Sequence, residues 1–429
     1  MNLLVRGGGK LAGTVVPSGN KNAILPILCS TLLTKEKVLL RNVPDLTDVD
    51  KLVEIMKQLG SKISWDKSAQ VLEVMNDEIS LDRFDGCLPM GMRASVLLFA
   101  PLAFRGKTLK IGTKIEGCQL GIRELDTHYR TLRALGAEVN VGHGSVEIKL
   151  KDRFIGGEHW EDYMSVTTTE NFIMAACCAK GKSVLMNAAS EPHVQDLANF
   201  LNSIGAKISG IGTSRLEVEG VGSLGGGEHE IISDHHEIAT FLALGAMTGG
   251  RVEVEKSLPE HFGLINNSFR KLGVEVEYHG DKAFVSEGQK LEVQIPDTKH
   301  FVPKIEIHPW PYFPTDLLPL MVALATRAKG QIMFWNKMYE GSLFWVSQLS
   351  AFGVKSLICD PHRALIWGGL PLYPAIIEAP DIIRATVAMF MIAQSIDGES
   401  TIVNADPIKR AHPEFEEKMI SLGADVAWV

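Results

Sequence analysis

Leu135-Gly136-Ala137-Glu138-Val139 belongs to the pattern that decides the fold, because equivalents of it occur six times in the chain. In each copy an apolar residue ends a helical run, a glycine follows, and a strand-like segment begins. The six glycines are Gly60, Gly136, Gly205, Gly273, Gly353 and Gly423. A glycine just past a helix commonly adopts the left-handed conformation that ends it. The pattern therefore predicts a helix before each glycine and a half-buried strand after it.

A second repeated pattern lies between these copies: a helix rich in small apolar residues, a polar turn and a strand. Four such helices are predicted at residues 175–179, 241–247, 317–326 and 386–396. Together the two patterns form a unit of strand, helix, two strands, helix and strand, and successive glycines lie 68 to 80 residues apart. Self-similarity at a regular spacing is strong information about fold. We therefore predict an α/β protein, a two-domain inside-out barrel with three βαββαβ units per domain, helices inside and sheets outside.

The length of 429 residues also favours two domains, because single cores stop growing at roughly 250–300 residues. The chain begins with a predicted strand at residues 3–5 and ends with another at residues 425–429. The N-terminus can therefore complete the sixth unit. The predicted domains are residues 1–20 plus 230–429, and residues 21–229, which include Cys118.

Composition excludes several functional classes. The net charge of −8 and the pI near 5.9 give no reason to expect a nucleic-acid partner. No apolar run approaches the ~20 residues of a membrane span, and the first residues do not resemble a signal peptide. The six cysteines show no disulfide or metal-binding spacing. We expect a cytoplasmic protein without a membrane partner.

Residues 113–123 are predicted to form a surface loop between a strand at residues 107–111 and a helix at residues 125–135. Cys118 lies within it, with Lys114 and Arg123 nearby in sequence. Cations beside a thiol favour the reactive thiolate. The alternative is that Cys118 is a small apolar residue without a chemical role.

Cationic side chains stand at the edges of several units: Lys21, Arg93, Arg123, Arg384 and Arg410. A helix start disfavours a cation, so Lys21 and Arg93 indicate a nearby anion. Solvation of Lys21 and a carboxylate partner for Arg93 are the alternatives. If the five side chains converge, they predict a small substrate that carries phosphate or carboxylate.

Three further positions are candidates for chemistry. Asp316 follows a proline-rich segment at a helix start, where it either stabilises the helix dipole or acts as a general base. Thr167 and Glu170 match a helix capping box, which leaves Ser165 free for a ligand. Metal binding by the histidines at residues 229–236 lacks a complete ligand set, so we predict no metal.

The chain resembles the enolpyruvyl transferases along its whole length. The segments that carry the resemblance are residues 18–23, 41–44, 92–95, 117–123, 191–192, 313–316 and 384–385. The cysteine loop favours the branch of the family that acts on a sugar nucleotide. The family fold of two domains with three βαββαβ units each agrees with the repeat.

The resemblance implies transfer of enolpyruvate from phosphoenolpyruvate to the 3'-hydroxyl of UDP-N-acetylglucosamine, with phosphate release. This is the first committed step of peptidoglycan synthesis and uses no cofactor or metal. Cys118 would protonate the vinyl CH2 group, would be the residue alkylated by fosfomycin, and would lie on a lid. Asp316 would accept the proton of the attacking hydroxyl.

The resemblance also implies the binding residues. Lys21, a catalytic residue, would hold phosphoenolpyruvate together with Asn22, Arg123 and Arg410, with Arg93 and Arg384 beside them. The residues expected to bind the uridine and the sugar are Leu125, Asp126, Ser165, Val166 and Met338. The expected partners are the two small-molecule substrates, and the expected state is a monomer or weak homo-oligomer.

The sequence departs from the family pattern at several positions. Ser342 stands where the family has arginine, and Ile382 stands where it has an acidic residue, with Asp381 one position earlier. Further departures are Glu124, Thr167 and Lys409. They leave two alternatives open: a paralogue that acts on another nucleotide or sugar, and a sugar-nucleotide-binding protein without activity.

Overall fold

The structure, a computed structural model, describes residues 1–84, 93–112 and 124–429, apart from the side chain of Arg83. Within these ranges the chain forms two compact units. The first unit contains Met1–Ser18 and Ser233–Val429. The second contains the described residues from 19 to 232. Each unit has an apolar core of its own.

The α-helices of the described chain vary from about two to about four turns. In chain order they are α1 Lys21–Ser30, α2 Thr47–Leu59, α3 Phe99–Gly106, α4 Asp126–Ala134, α5 Val166–Cys177, α6 Pro192–Ser203, α7 His235–Thr248, α8 Gly263–Arg270, α9 Leu318–Arg327, α10 Ile383–Gln394 and α11 Phe415–Ser421. The 3-10 helices are Thr31–Leu33, Asp82–Phe84, Arg93–Leu98, Pro259–His261, Thr315–Leu317, Phe344–Phe352 and Asp406–Arg410.

The strands are short and come from all parts of the described chain. They are β1 Leu3–Gly7, β2 Gly13–Val15, β3 Val38–Arg41, β4 Lys62–Asp66, β5 Val71–Met75, β6 Thr108–Gly112, β7 Glu138–Gly142, β8 Ser145–Lys149, β9 Glu158–Trp160, β10 Lys182–Met186, β11 Lys207–Ser209, β12 Arg215–Glu219, β13 Gly227–Glu230, β14 Val252–Val254, β15 Glu277–His279, β16 Lys282–Val285, β17 Lys304–Ile307, β18 Gly330–Asn336, β19 Lys355–Asp360, β20 Arg363–Gly368, β21 Ile376–Glu378, β22 Gly398–Val403 and β23 Asp425–Trp428.

Three sheets are seen in the described residues of each unit. In the first unit their strand orders are β21-β22-β1-β23, β15-β16-β14-β2 and β17-β18-β20-β19. In the second they are β11-β12-β10-β9, β13-β3-β5-β4 and β6-β8-β7. The N-terminal strand lies inside its sheet: Leu3 is opposite Ile402 on one side and Trp428 on the other.

The helices lie inside each unit and the sheets lie outside. Residues 235–247 of α7 are all buried, as are most residues of α9 and α10, and these three helices contact one another. The strands instead alternate between buried and exposed positions, as in β20, because one face of each sheet contacts solvent. The predicted α/β class with helices inside and sheets outside is confirmed.

The six glycines of the repeat all adopt positive φ angles, from 81° at Gly273 and Gly353 to 113° at Gly60. Each follows a helix, as predicted. The fifth of these helices differs, because Phe344–Phe352 is a 3-10 helix. There the hydroxyls of Ser347 and Ser350 donate to carbonyl groups three residues earlier, which fits a tighter turn.

Within residues 1–84, 93–112 and 124–429, no helix has the length and apolar character that crossing a bilayer requires.

Candidate active site

Two of the predicted site residues, Cys118 and Arg123, lie outside the described residues, and so does the rest of the predicted loop at residues 113–123. Their roles stay predictions.

Lys21 is the first residue of α1, and its anionic partner is the carboxylate of Asp48. The two side chains are only 14% and 11% exposed. Asn20 caps the helix, since its side chain accepts from the backbone N–H groups of Asn22 and Ala23. The prediction of an anion near Lys21 is thus met by a carboxylate of the same unit.

The N-termini of α4 and α5 lie next to each other and bring together four predicted nucleotide-binding residues. Leu125 precedes α4 and Asp126 begins it, while Ser165 and Val166 stand at the start of α5. The hydroxyl groups of Thr127 and Thr168 join the two helix ends at 2.8 Å.

The predicted capping box at Thr167 is wrong. Ser165 is the N-cap, because its backbone is extended and its Oγ accepts from the N–H of Thr168 at 3.4 Å and from the Thr168 hydroxyl at 2.8 Å. Thr167 is already inside the helix. The hydroxyl hydrogen of Ser165 is donated in neither of these two bonds.

His128 is a buried residue in the first turn of α4, and its contacts define its tautomer. Nδ2 of Asn171 lies 3.1 Å from its Nδ1, and Oγ1 of Thr167 lies 3.2 Å from its Nε2. An amide nitrogen only donates, so the proton of His128 is on Nε2. Burial, with a smaller effect of the Arg93 charge, lowers the pKa of His128 to about 3. Arg93 begins the 3-10 helix Arg93–Leu98, which leads directly into α3.

In the first unit, a row of charged and imidazole side chains begins at Asp316. Its side chain is 42% exposed, and its Oδ2 lies 3.6 Å from Nε2 of His236. Nδ1 of His236 lies 2.7 Å from Oδ1 of Asp234. The same carboxylate caps α7 by accepting from the backbone N–H of His236. His236 therefore lies between a half-exposed carboxylate and a buried one.

Arg384 of α10 continues this row. Its Nη2 lies 3.5 Å from Oδ2 of Asp234, and its Nη1 donates to Nε2 of His412 at 2.7 Å. Nδ1 of His412 lies 3.4 Å from Oε1 of Glu237. Nζ of Lys418 lies 2.9 Å from Oε2 of Glu237. We call these six side chains, from His236 and Asp234 to Lys418, the buried charge network.

Electrostatics within the buried charge network keep its carboxylates ionised. Burial alone would raise the pKa of Asp234, but His236 and Arg384 outweigh burial and hold it well below its usual range. Burial would likewise raise the pKa of Glu237, but Lys418 and His412 lower it. The pKa of His412 is lowered, chiefly by burial and against the opposing effect of Glu237.

Asp234, His235 and His236 also place possible metal-ligand atoms within 4.8 Å of one another. Asp234 already accepts from His236 and faces the guanidinium of Arg384. A fixed positive charge at that distance opposes a second cation. We therefore interpret Asp234 and His236 as members of the buried charge network, with the ring of His235 against that of His236.

Met338 and Arg410, two predicted binding residues of the first unit, contact Thr315 and Asp381. Sδ of Met338 accepts from the hydroxyl of Thr315 at 3.0 Å, so Met338 lies beside the segment that carries Asp316. Arg410 lies 4.0 Å from Asp381, and both side chains are partly exposed.

Two departures from the family pattern have structural roles. Ser342 is buried, accepts from Asn336, and donates to the carbonyl oxygen of Tyr339 at 2.9 Å. Ile382 packs against the apolar core of the first unit at the start of α10. Both residues therefore contribute to local structure.

Sequence reasoning missed several residues that support the predicted ones. They are Asp48, His128, Asn171, Asp234, Glu237, His412 and Lys418, and His236 was considered only as a possible metal ligand. A signal was present at residues 234–237, where four ionisable residues stand at the start of a helix that is otherwise largely apolar. Buried charges require partners, so this stretch could have indicated a charge network.

Comparison with known proteins gives consistent matches over the full chain. Residues 5–419 match the family model for EPSP synthase (3-phosphoshikimate 1-carboxyvinyltransferase). The chain is 38% identical over 423 residues to the UDP-N-acetylglucosamine 1-carboxyvinyltransferase of Borrelia garinii, covering 99% of this chain and 98% of that protein. It is 40% identical over 423 residues to the protein of the same name from Bradyrhizobium diazoefficiens, with coverages of 99% and 97%.

Solved structures show the same fold at lower sequence identity. The enolpyruvyl transferase NikO from Streptomyces tendae superposes with a TM-score of 0.84 at 19% identity, covering 99% of this chain and 98% of that one. EPSP synthase from Acinetobacter baumannii superposes with a TM-score of 0.76 at 16% identity over the whole of both chains.

Proposed function

We propose that this chain, which belongs to the enolpyruvyl transferase family, transfers enolpyruvate from phosphoenolpyruvate to the 3'-hydroxyl of UDP-N-acetylglucosamine and releases phosphate. The observation that carries the substrate assignment is the 36–40% identity to curated enzymes that are all named UDP-N-acetylglucosamine 1-carboxyvinyltransferase. The reaction would be the first committed step of peptidoglycan synthesis.

Asp316 is the proposed general base. Its carboxylate is partly exposed, so a substrate can reach it, and it is backed by the imidazole of His236. A base must lie within hydrogen-bond reach of the proton that it removes. In the addition step the hydroxyl O–H bond breaks, its oxygen bonds to C2 of phosphoenolpyruvate, and Asp316 takes the proton.

Cys118 is the proposed acid. It would donate its proton to the CH2 carbon as the addition occurs, which converts that carbon to a methyl group. A proton of this methyl group then returns to the Cys118 thiolate, the bond from C2 to the phosphate oxygen breaks, and the double bond is restored as phosphate leaves. The proposed alkylation by fosfomycin would use the thiolate form of the same side chain.

Cationic side chains are proposed to hold phosphoenolpyruvate and the charge that develops on it. They are Lys21, Arg123 and Arg410, with the amide of Asn22 beside them. Lys21 is supported by its ion pair with Asp48, which restricts the ammonium group at the start of α1. Arg93 and Arg384 are proposed as further binding residues, and the hydrogen bond to His412 orients Arg384.

The nucleotide and sugar are proposed to bind Leu125, Asp126, Ser165, Val166 and Met338. The first four lie at two neighbouring helix N-termini. Helix N-termini favour anionic groups such as phosphate because their N–H groups are unpaired.

We also propose a cellular location, domain bounds and an oligomeric state. We place the enzyme in the cytoplasm, which is supported by the free thiols of the cysteines in the described ranges. We propose two domains, residues 1–20 plus 230–429 and residues 21–229. The proposed state is a monomer or weak homo-oligomer that needs no metal or cofactor.

A phosphate-release assay tests the function. Purified protein is incubated with phosphoenolpyruvate and UDP-N-acetylglucosamine, and Asp316→Asn serves as the control. We expect the wild type to release phosphate and Asp316→Asn to release it at least about a hundred-fold more slowly. Phosphate release only with acceptors other than UDP-N-acetylglucosamine would favour a paralogue. The presence of Ser342 where the family has arginine also favours a paralogue. Tight nucleotide binding without release would favour a silent homologue.

A further inference from the structure

We propose that His236 and Asp234 form a proton relay with Asp316, in which His236 takes over the proton that Asp316 accepts from the attacking hydroxyl. The proposal rests on the proposed function, since it assumes that Asp316 is the general base. His236 acts through Asp316 and is therefore a positioning residue.

The geometry consists of one imidazole between two carboxylates. Nδ1 of His236 lies 2.7 Å from Oδ1 of Asp234, and its Nε2 lies 3.6 Å from Oδ2 of Asp316. The His236 side chain is 4% exposed and that of Asp234 is 2% exposed, whereas that of Asp316 is 42% exposed. One end of the row is thus sealed in the protein and the other end is open to a substrate.

The bonding of Asp234 orients His236. An ionised carboxylate only accepts hydrogen bonds, so the Nδ1 atom carries the proton at the Asp234 contact. In the neutral ring this leaves the Nε2 lone pair directed toward Asp316. The arrangement is the same in principle as the aspartate–histidine pair of hydrolases, in which a buried carboxylate selects the tautomer and stabilises the imidazolium.

Several other groups surround His236. On α7 the ring of His235 lies against it, with ring centres 3.9 Å apart and planes tilted by 35°. The ring of Trp310 meets that of His235 edge to face, with centres 6.3 Å apart. On α10 the guanidinium of Arg384 neutralises part of the Asp234 charge. Within the described residues, a carboxylate lies beside each ring nitrogen of His236, so an imidazolium formed there would lie between Asp234 and Asp316.

The relay step conserves atoms and charge. After addition, the carboxylic acid O–H bond of Asp316 breaks and the proton bonds to Nε2 of His236. Asp316 is then ionised again, and His236 is an imidazolium held by Asp234.

The first experiment uses His236→Asn, His236→Gln and the control His279→Gln. Asparagine retains a donor near the Nδ1 position and keeps the bond to Asp234, but it has no titrating group toward Asp316. We expect kcat for phosphate release to fall about 10–100-fold in both His236 variants with little change in KM. The acid limb of the kcat–pH profile should also move, because these variants have no imidazole to take over the proton from Asp316. His279→Gln, on β15, should match the wild type.

A purely structural role gives a different result. In that case His236→Asn would restore kcat, or both variants would keep the wild-type pH profile, and the relay would be excluded. Thermal unfolding of each variant confirms that it is folded before the kinetics are compared.

The second experiment does not need activity. Protein labelled with 15N-histidine is compared with its Asp316→Asn variant, and the His236 signals are identified by their absence in His236→Asn. We expect a protonated Nδ1 and an Nε2 shift that changes in Asp316→Asn. An unprotonated Nδ1, or an Nε2 shift unaffected by Asp316→Asn, would overturn the relay. If the wild type releases no phosphate, the proposed function fails and the relay fails with it, whereas this spectrum still decides whether His236 is oriented by Asp234 and senses Asp316.

Discussion

Arg384 donates a hydrogen bond from Nη1 to Nε2 of His412 at 2.7 Å. A guanidinium group has no acceptor, so Nε2 of His412 presents a lone pair and its proton lies on Nδ1, toward Glu237. Burial lowers the pKa of His412, which agrees with a neutral ring. A neutral imidazole thus connects a buried cation to a buried anion.

Replacing His412 should destabilise the protein according to what the new side chain can accept. His412→Phe leaves Arg384 and Glu237 with one partner fewer and should lower the free energy of unfolding by about 2–4 kcal/mol. His412→Gln retains polar atoms and should lose about half as much. Urea unfolding at pH 7.5 measures both. Equal losses in the two variants would contradict the role of His412 as an acceptor.

Acid should destabilise the protein through His128. Its pKa is about 3 in the folded protein and near 6.5 when unfolded, so the unfolded chain binds the proton first. The contribution of His128 is therefore present above pH 6.5 and is lost as the pH falls toward 3. Between pH 7.5 and pH 5 the loss is about 2 kcal/mol. Over this pH range, the free energy of unfolding of His128→Gln, measured with urea, should fall by about 2 kcal/mol less than that of the wild type. The same pH dependence in both proteins would contradict a buried neutral ring at His128.

The ion pair of Lys21 and Asp48 should be worth more than an exposed pair. Asp48→Asn leaves the ammonium group of Lys21 largely buried without its counter-charge, so the free energy of unfolding should drop by about 2–4 kcal/mol. The matched control is Asp45→Asn, since Asp45 pairs with Lys67 where both side chains are about half exposed; its effect should be under about 0.5 kcal/mol. Chemical denaturation of both variants makes the comparison, and similar losses would show that burial is irrelevant here.

The glycines of the repeat should resist substitution because of their backbone conformation. Gly205 has a φ of 105°, and a Cβ atom added there would meet nothing within 4 Å. Gly205→Ala should therefore cost about 1–2 kcal/mol from backbone strain alone. Gly222 has equal space but no positive φ, so Gly222→Ala should be nearly neutral. Thermal unfolding of the pair checks the difference, and a neutral Gly205→Ala would refute the strain argument.

Cys118→Ser should abolish phosphate release without unfolding the protein. A serine hydroxyl is a far weaker acid than a thiol, and a thiol in a predicted surface loop has little packing role. We expect an unchanged melting temperature and no covalent labelling by fosfomycin, read by mass spectrometry of the intact protein. Loss of folding in Cys118→Ser would contradict the predicted loop position.

The repeat was predictable because its signals are local. A glycine that ends a helix, as Gly423 does after α11, adopts its conformation through contacts within one turn. Alternation along a strand such as β20 likewise depends on the two faces of one short segment. The exception is the 3-10 helix Phe344–Phe352, which the apolar pattern does not distinguish from an α-helix.

The candidate site was predictable only in part. Lys21 and Asp316 were found because each carries a charge at a helix start, where the helix dipole disfavours a cation and favours an anion. The partners that support them, Asp48 and His236, were not found. Ser165 was placed correctly at the start of α5, but its capping role was assigned to Thr167, because several hydroxyl residues in a row offer competing caps.

The sequence by itself determined the repeating α/β architecture, the family and the types of residue available for chemistry. Only the tertiary structure decided which charges meet: Lys21 with Asp48, His236 with Asp234 and Asp316, and Arg384 with His412. The physical reason is that helix stops and strand alternation are set by neighbours along the chain. The partner of a buried charge is set by distance in space, which depends on how separate helices pack.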